Sequence, residues 1–222
     1  MDEWGPTDTP THAWTSEGVN YASEVAAWDE TLYLAAMKSV AALTADGDHC
    51  WRFAAEHSVH TSPAVVDGTV YAGDDSGHMY ALGAATGSEQ WRVGMEGGII
   101  SSPAVVNGTV YFGADHQIHA LDAATGRREW RFETDETVIS SPAVVDETVY
   151  IGSKDGHVYA LNAGDGTERW CFRTDNQVRS SPAVAGETVY VGSRDNHVYA
   201  LNTGDGSERW RFQTGASVHS SP

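Results

Sequence analysis

The chain is organised around one stretch, which reads Ser140-Ser-Pro-Ala-Val-Val-Asp-Glu-Thr-Val-Tyr-Ile-Gly-Ser-Lys-Asp-Gly-His-Val-Tyr-Ala-Leu-Asn-Ala-Gly-Asp-Gly-Thr-Glu-Arg-Trp-Cys-Phe172. Close copies of this stretch fill most of the remaining sequence. Its Ser-Pro proline recurs with gaps of 40, 39, 40 and 40 residues, at Pro63, Pro103, Pro142, Pro182 and Pro222. Its tryptophan recurs with the same gaps, at Trp51, Trp91, Trp130, Trp170 and Trp210. A fixed period of this length predicts a repeat architecture.

One repeat predicts four short β-strands. The Ser-Pro-Ala-Val-Val unit, the run Thr148–Gly152, the run His157–Leu161 and the run Arg169–Arg173 are each rich in β-branched or aromatic residues. Asp, Glu and Gly turn residues separate them, which favours an antiparallel meander. The helix-like run from Leu34 to Leu43 aligns with strand positions of the other copies, so we interpret it as a degenerate repeat.

The predicted strands are apolar on both faces. Val149 and Ile151 alternate with Tyr150 along one strand, so both sides of the sheet need cover. Radial stacking of four-stranded sheets supplies that cover, whereas the coils of a parallel β-helix are usually shorter than this period. The expected fold class is therefore all-β, a β-propeller of four-stranded antiparallel blades built from about five repeats.

The repeat resembles the PQQ-like propeller repeat found in quinoprotein alcohol dehydrogenases and in BamB-type proteins. The matching elements are Ser-Ser-Pro-Ala-Val, Val-Tyr-x-Gly, Asp-Gly-x-Val-Tyr-Ala-Leu and Thr-Gly-x-x-x-Trp. The tryptophan-docking motif of that family is matched in full at Ala120, Asp122, Thr125, Gly126 and Trp130. In other copies it drifts: Gly83, Asn162 and Asn202 replace the Asp, and Asp165 and Asp205 replace the Thr. The resemblance covers the chain from about Trp14 and is specific for fold more than for function.

The repeats divide the chain into a polar lead-in and an array. Residues 1–11 form the lead-in, and residues 12–17, with Trp14, resemble an orphan last strand. Five blades are expected at about 22–53, 61–93, 101–132, 140–172 and 180–212, followed by a partial repeat at 218–222. These orphan pieces favour part of a larger seven- or eight-bladed ring. The alternatives are a five-bladed ring closed on itself and an arc closed by a second copy.

The composition is strongly acidic, with 31 Asp and Glu against 13 Lys and Arg and a formal net charge of −18. Only Lys38 and Lys154 are lysines, a composition resembling that of proteins from halophilic archaea. Such a charge should repel phosphate backbones, so nucleic acid is not an expected partner. No apolar run approaches the ~20 residues of a membrane span. No signal peptide opens the chain, although the resemblance implies an extracytoplasmic or cell-surface location.

Candidate ligand positions are those that vary between constant neighbours. The residue two before each Ser-Pro unit changes from charged to apolar among copies, and in the family it lies near the central channel: His60, Ile100, Ile139, Arg179 and His219. Three histidines share one turn position, His78, His157 and His197, but equivalent sites on separate blades should lie too far apart to share a metal ion. The repeat tryptophans are expected in the core between blades.

Two functions remain open on the sequence. The first is a non-catalytic propeller that binds a protein or another ligand, with self-association through open blade edges as one possibility. The second is a quinoprotein dehydrogenase, or part of one, for which the resemblance implies PQQ, calcium and a disulfide between adjacent cysteines. The two cysteines, Cys50 and Cys171, are far apart in the sequence, and no catalytic, cofactor or metal cluster is evident. The first function is preferred.

Overall fold

The computed structural model describes residues 22–221 of the 222-residue chain, with side chains from residue 25 onwards. The lead-in at 1–11, the orphan strand at 12–17 with Trp14, and Pro222 lie outside the described residues.

The described residues form five four-stranded antiparallel sheets, each a meander of consecutive strands. We number the strands β1 to β20 in chain order. The first strands of the blades are β1 (Ala22–Trp28), β5 (Ala64–Val66), β9 (Ala104–Val106), β13 (Ala143–Val145) and β17 (Ala183–Ala185). The second strands are β2 (Thr31–Ala36), β6 (Thr69–Gly73), β10 (Thr109–Ala114), β14 (Thr148–Gly152) and β18 (Thr188–Ser193). The third strands are β3 (Ser39–Thr44), β7 (His78–Gly83), β11 (Gln117–Asp122), β15 (His157–Asn162) and β19 (His197–Asn202). The fourth strands are β4 (His49–Ala54), β8 (Glu89–Gly94), β12 (Arg128–Glu133), β16 (Glu168–Arg173) and β20 (Glu208–Gln213).

This arrangement confirms the all-β fold class and the five propeller blades. The first strands of successive blades contact one another, so they form the inner side of the array. The degenerate copy is a full blade, because β2 and β3 span the helix-like run from Leu34 to Leu43. Alternation of apolar side chains therefore outweighs the helix propensity of its alanines and leucines.

The first strands are shorter than the sequence suggests. In blades 2 to 5 each has three residues and begins at the alanine after the Ser-Pro pair. Proline has no N–H to donate to a β-ladder, which explains why the strand starts after it. The preceding serine N–H turns towards the neighbouring blade instead, as described below.

The core lies between blades. Four clusters of buried side chains each combine strands of two consecutive blades; the first, for example, joins Tyr33 and Val40 to Val70, Tyr80 and Leu82. A β-bulge between the third and fourth strands recurs in every blade, one residue past the alanine that pairs with the docking tryptophan. The bulge adds local twist at the place where the side chain of that tryptophan projects towards the next blade.

The fifth blade has one bare face. Trp210 and Phe212 on β20 are 47% and 65% exposed, although their counterparts Trp170 and Phe172 pack in the cluster between blades 4 and 5. Val25 on β1 of blade 1 is also exposed. Within residues 22–221, blade 1 therefore does not cover blade 5, and these five blades do not close on themselves.

Candidate functional site

Each docking tryptophan of blades 1 to 4 ties its blade to the next one. The indole Nε1–H of Trp51 donates to Ala84 O at 2.7 Å, and that of Trp130 donates to Ala163 O at 2.8 Å. The same bond joins Trp91 to Ala123 O and Trp170 to Thr203 O, both at 2.9 Å. These rings lie between blades as structural contacts, with their single polar atom satisfied.

A glycine of the next blade makes room for each ring. A Cβ at Gly166 would lie 2.6 Å from the ring of Trp130, and Gly87, Gly126 and Gly206 hold the same place against the other three tryptophans. The carbonyl that accepts the indole proton also accepts a tyrosine hydroxyl; Tyr111 reaches Ala163 O at 3.2 Å. The motif therefore combines two hydrogen-bond donors, the indole N–H and the tyrosine hydroxyl, with a glycine whose missing side chain leaves room for the ring.

The drifted copies rebuild the same turn with different residues. In the full motif, Asp122 Oδ1 accepts from the Thr125 N–H at 2.8 Å and from its hydroxyl at 2.6 Å. The hydrogen bond from that hydroxyl holds the pKa of Asp122 below its ordinary value. In blade 4 the acid has moved to Asp165, which accepts both bonds from Thr167 instead. Loss of the motif Asp in this copy is thus compensated three residues later.

A belt of serines joins the blades on their inner side. The backbone N–H of Ser102 donates to Ser141 Oγ at 2.9 Å, and the N–H of Ser141 donates to Ser181 Oγ at 2.8 Å. The serine belt runs through five repeats: Ser62, Ser102, Ser141, Ser181 and Ser221. The sequence signal was the repeated Ser-Pro pair, but residue spacing alone does not show that the bonds cross between blades.

The five candidate channel positions lie one residue before each blade's pair of small polar residues, next to the serine belt. His60, Ile100 and His219 are exposed, whereas Ile139 and Arg179 are half-buried. His60 Nε2 lies 3.2 Å from Asp75 Oδ2, and Arg179 Nε donates to Gln177 Oε1 at 3.0 Å. The residue before each position is apolar. In the last four repeats it packs against a glycine at or one residue before the end of the second strand of the preceding blade; a Cβ at Gly152 would lie 2.4 Å from Val178. The five positions therefore share one edge of the inner surface.

The turn histidines are held by their own blades. His157 Nδ1 lies 3.2 Å from Asp155 Oδ1, and His197 Nδ1 lies 3.3 Å from Asp195 Oδ1. His78 Nδ1 contacts the Ser76 hydroxyl at 2.9 Å. Asp74, Asp155 and Asp195 each also accept a tyrosine hydroxyl. Burial, followed by the hydrogen bond to Asp74, raises the pKa of Tyr80 to about 12. In residues 22–221 no group of three His, Cys, Asp or Glu side chains is placed to hold a metal ion.

The family described as outer membrane protein assembly factor BamB matches residues 36–170 and 118–222, which together make up most of the sequence. The chain belongs to this family. Among curated proteins, none matches its sequence.

Solved structures share the propeller of this BamB-family chain at low identity. BamB from Moraxella catarrhalis is 21% identical with a TM-score of 0.79, over 89% of this chain and 62% of that one. The computationally designed Ika8 protein is 20% identical with a TM-score of 0.81, over 92% and 66%. The quinohemoprotein alcohol dehydrogenase ADHIIG from Pseudomonas putida HK5 is 19% identical with a TM-score of 0.73, over 85% and 41%. The chain spans less than two thirds of each of these structures, and the likeness shows the fold.

The described residues do not fit the quinone site that the dehydrogenase resemblance implies. Cys50 and Cys171 are exposed free thiols on different blades, so they cannot form a disulfide between adjacent cysteines. The docking tryptophans of blades 1 to 4 are committed to contacts between blades. Trp28 differs, because it ends the innermost strand of blade 1 and is 42% exposed. Among the described tryptophans, it is the exposed one that lies on a first strand.

A set of residue replacements at the interface between blades 2 and 3 was not predicted from the sequence. Where the third strands of blades 2, 4 and 5 carry tyrosine, blade 3 has His119, which is 1% exposed and has no hydrogen-bond partner on either ring nitrogen. Its ring stacks on Phe112 at 5.4 Å, and Val93 replaces the phenylalanine found on the other fourth strands. Burial, followed by the charges of Arg128 and Arg131, lowers the pKa of His119 to about 4. His119 is therefore a neutral core residue of that interface.

Residues 22–221 contain no helix with the length and apolar character that crossing a membrane requires.

Proposed function

We propose that this BamB-family chain is a non-catalytic propeller scaffold that binds a protein partner on its face or rim. The observation that carries the proposal is the bare face of blade 5, where Trp210 and Phe212 are exposed within the described residues. Every preceding blade has the equivalent tryptophan covered by a neighbour. Exposed aromatic patches of this kind mark interaction surfaces. The family is named for assembly of outer membrane proteins, which supports a role in protein interaction.

The alternative is a PQQ-dependent dehydrogenase or part of one. Two observations favour keeping it: the structural likeness to a quinohemoprotein alcohol dehydrogenase and the exposed ring of Trp28 on the innermost strand of blade 1. The missing pair of adjacent cysteines counts against it, as does the compact repeat, which runs from one blade into the next without long insertions. The scaffold remains the better-supported function.

Titration of pyrroloquinoline quinone with calcium, followed by tryptophan fluorescence, separates the two functions. The scaffold predicts quenching no greater than that of free tryptophan, and the same result for Trp28→Phe once its lost emission is subtracted. Saturable, calcium-dependent binding of one quinone per chain, lost in Trp28→Phe, would contradict the scaffold. Trp210→Phe serves as the matched control, since its ring is equally exposed but lies on the fourth strand.

We also propose that the protein works at high ionic strength and outside the cytoplasm. The net charge of −18 and the presence of only two lysines support the first point, because excess surface acid keeps a protein soluble in concentrated salt. Thermal unfolding measured from ~0.1 to ~3 M KCl checks it: stability should rise steadily with salt as repulsion between the acids is screened. A flat or falling curve would contradict it. The family's description as an outer membrane protein assembly factor supports the second point, and fractionation of the source cells tests it.

A further inference from the structure

The charge at one turn position next to the candidate channel positions changes sign across the array. In blades 2 to 5, one turn residue after the second strand donates its backbone N–H to the segment that leads into the first strand of the same blade. In blades 2 and 3 this residue is acidic, Asp75 and Asp115, and in blades 4 and 5 it is basic, Lys154 and Arg194. The two acids lie beside histidines: His60 is 3.2 Å from Asp75, and His116 is 3.3 Å from Asp115.

In the half of the array with basic turn residues, two arginine side chains donate to the same glutamine. Arg179 Nε and Arg194 Nη1 both donate to Gln177 Oε1, each at 3.0 Å. The two donor nitrogens are therefore at most twice that distance apart, and both side chains are half-buried. Two like charges so close repel each other, and the neutral amide oxygen between them offsets only part of that repulsion.

Lys154 lies on the other side of the same segment. The N–H of Val178 donates to Ser153 O at 3.0 Å, while Gln177 O accepts from the Arg194 N–H at 2.9 Å. Residues 177–179 thus run between the Lys154 turn of blade 4 and the Arg194 turn of blade 5. We call Lys154, Arg179 and Arg194 the basic cluster.

No carboxylate of the described residues 22–221 forms an ion pair with the basic cluster. The acids next to it in sequence, Asp155 and Asp195, have side chains only 4% and 5% exposed, and they accept from their own blade's histidine and tyrosine. In a chain with 31 acids and 13 bases, three basic residues on neighbouring segments without an ion-paired carboxylate are the opposite of the expected surface.

An apolar side chain borders the basic cluster. The Ser141 N–H donates to Ser181 Oγ at 2.8 Å, which brings the start of blade 4, with half-buried Ile139, beside the start of blade 5, with Arg179. Ile100 of blade 3 follows on the same edge and is 47% exposed. Inorganic phosphate would use only the cations, whereas a peptide with carboxylates and aliphatic side chains would use both.

We propose that the basic cluster, with Ile139 and Ile100, binds an acidic peptide segment of the protein partner through its carboxylates. Guanidinium groups bind carboxylates through paired N–H donors, and partial burial protects such bonds from screening. This inference rests on the scaffold function proposed above. It names the chemistry of the segment that the partner would present.

Fluorescence anisotropy with two dye-labelled peptides tests the site. The probes are Leu-Glu-Glu-Leu-Glu and its neutral counterpart Leu-Gln-Gln-Leu-Gln, in the lowest salt at which circular dichroism shows the fold intact. We expect the Glu peptide to bind at least about 10-fold more tightly than the Gln peptide, and Arg179→Gln or Arg194→Gln to weaken it by about 10-fold. Arg209→Gln is the matched control, because Arg209 is a surface arginine on the outer strand β20 and pairs with Glu187.

Equal binding of the two peptides, no binding at millimolar protein, or equal loss in Arg209→Gln would overturn the proposal. The peptide comparison needs no mutation, so it decides the question even where a variant fails to fold. Inorganic phosphate that displaces the Glu peptide with equal potency from wild type and from Ile139→Ser would show an anion site without a peptide site, which also overturns it. If the peptide fails while the quinone titration is flat, this site is wrong and the scaffold stands; saturable quinone binding would remove the scaffold itself.

Discussion

At the scale of single residues, the buried His119 makes the stability of the folded protein depend on pH. Its folded pKa of about 4 lies below the ordinary value of 6.5 because its ring is buried without partners. The unfolded chain therefore takes up the proton first as pH falls. The stability contributed by neutral His119 is complete above pH 6.5, is lost as pH falls towards 4, and amounts to about 3 kcal/mol at most.

We expect His119→Phe to lose less stability than wild type between pH 7 and pH 4.5 in urea unfolding. The carboxylates titrate in both proteins, so the difference between the two curves isolates His119. His116→Phe is the control, because that imidazole is about half exposed beside Asp115. Parallel curves for wild type and His119→Phe would refute the buried neutral histidine.

A second residue-scale prediction concerns the close approach between blades at Gly152. Its added Cβ would meet Val178 Cγ1 at 2.4 Å, which is too short for any real contact. Gly152→Ala should cost roughly 1–3 kcal/mol by overpacking. Val178→Ala removes the opposing methyl groups, so the double variant should lose less than the sum of the single losses, as a double-mutant cycle would show. Strict additivity would mean that the two residues do not touch.

At the scale of elements, the hairpin between the first and second strands carries strain that glycine would remove. Blade 4 closes this hairpin with Asp146 and Glu147, at φ of 47° and 59°, whereas blade 3 uses Asn107 and Gly108, at 51° and 78°. Side chains other than glycine, asparagine and aspartate are disfavoured in this left-handed region. The backbone bonds of Glu147, from Ala163 N–H and the Arg169 guanidinium, use its carbonyl and survive substitution.

Glu147→Gly should therefore raise the free energy of unfolding by roughly 0.5–1 kcal/mol. The reverse change, Gly108→Glu in blade 3, should lower it by a similar amount, because no atom lies within 4 Å of the added Cβ and the cost is conformational. Denaturant unfolding of both variants measures the pair. A loss of stability in Glu147→Gly would show that the turn is not strained.

The elements themselves were predictable, but several contacts between them were not. The period of the prolines and tryptophans predicted five blades, and alternation along Val149, Tyr150 and Ile151 predicted sheets covered on both faces. The serine belt depends on the radial position of each blade, which residue spacing does not encode. The packing of Val93, Phe112 and His119 depends on three residues from two blades. In the sequence, each of these residues taken alone looks like random variation between the repeats.

The candidate site was predictable only as a set of variable positions. His60, Ile100, Ile139, Arg179 and His219 were selected because they vary between constant neighbours, and they lie on one edge of the inner surface. The basic cluster was not predicted. Lys154 and Arg194 lie in the turns after the second strands of blades 4 and 5, and hydrogen bonds to Gln177 and Val178 bring these turns beside Arg179.

At the scale of the whole molecule, the bare face of blade 5 should govern association. Each covered tryptophan has an indole bond and a glycine surface from the next blade, and Trp210 has neither within the described residues. Burying aromatic side chains of this size gains about 25 cal/mol per Å² of apolar surface removed from water. We therefore expect the chain to self-associate as its concentration rises, measured by light scattering after size-exclusion chromatography.

The salt dependence of this association identifies its cause. Contact through Trp210 and Phe212 should strengthen as KCl rises, since salt screens repulsion between acidic surfaces and does not weaken apolar burial. The double variant Trp210→Ser with Phe212→Ser should remain monomeric and keep the wild-type midpoint of unfolding, because both side chains are already exposed. Arg209→Ser on the same strand is the control and should associate like wild type. Association that falls with salt, or that Arg209→Ser abolishes, would show that charge and not the bare apolar face brings the copies together.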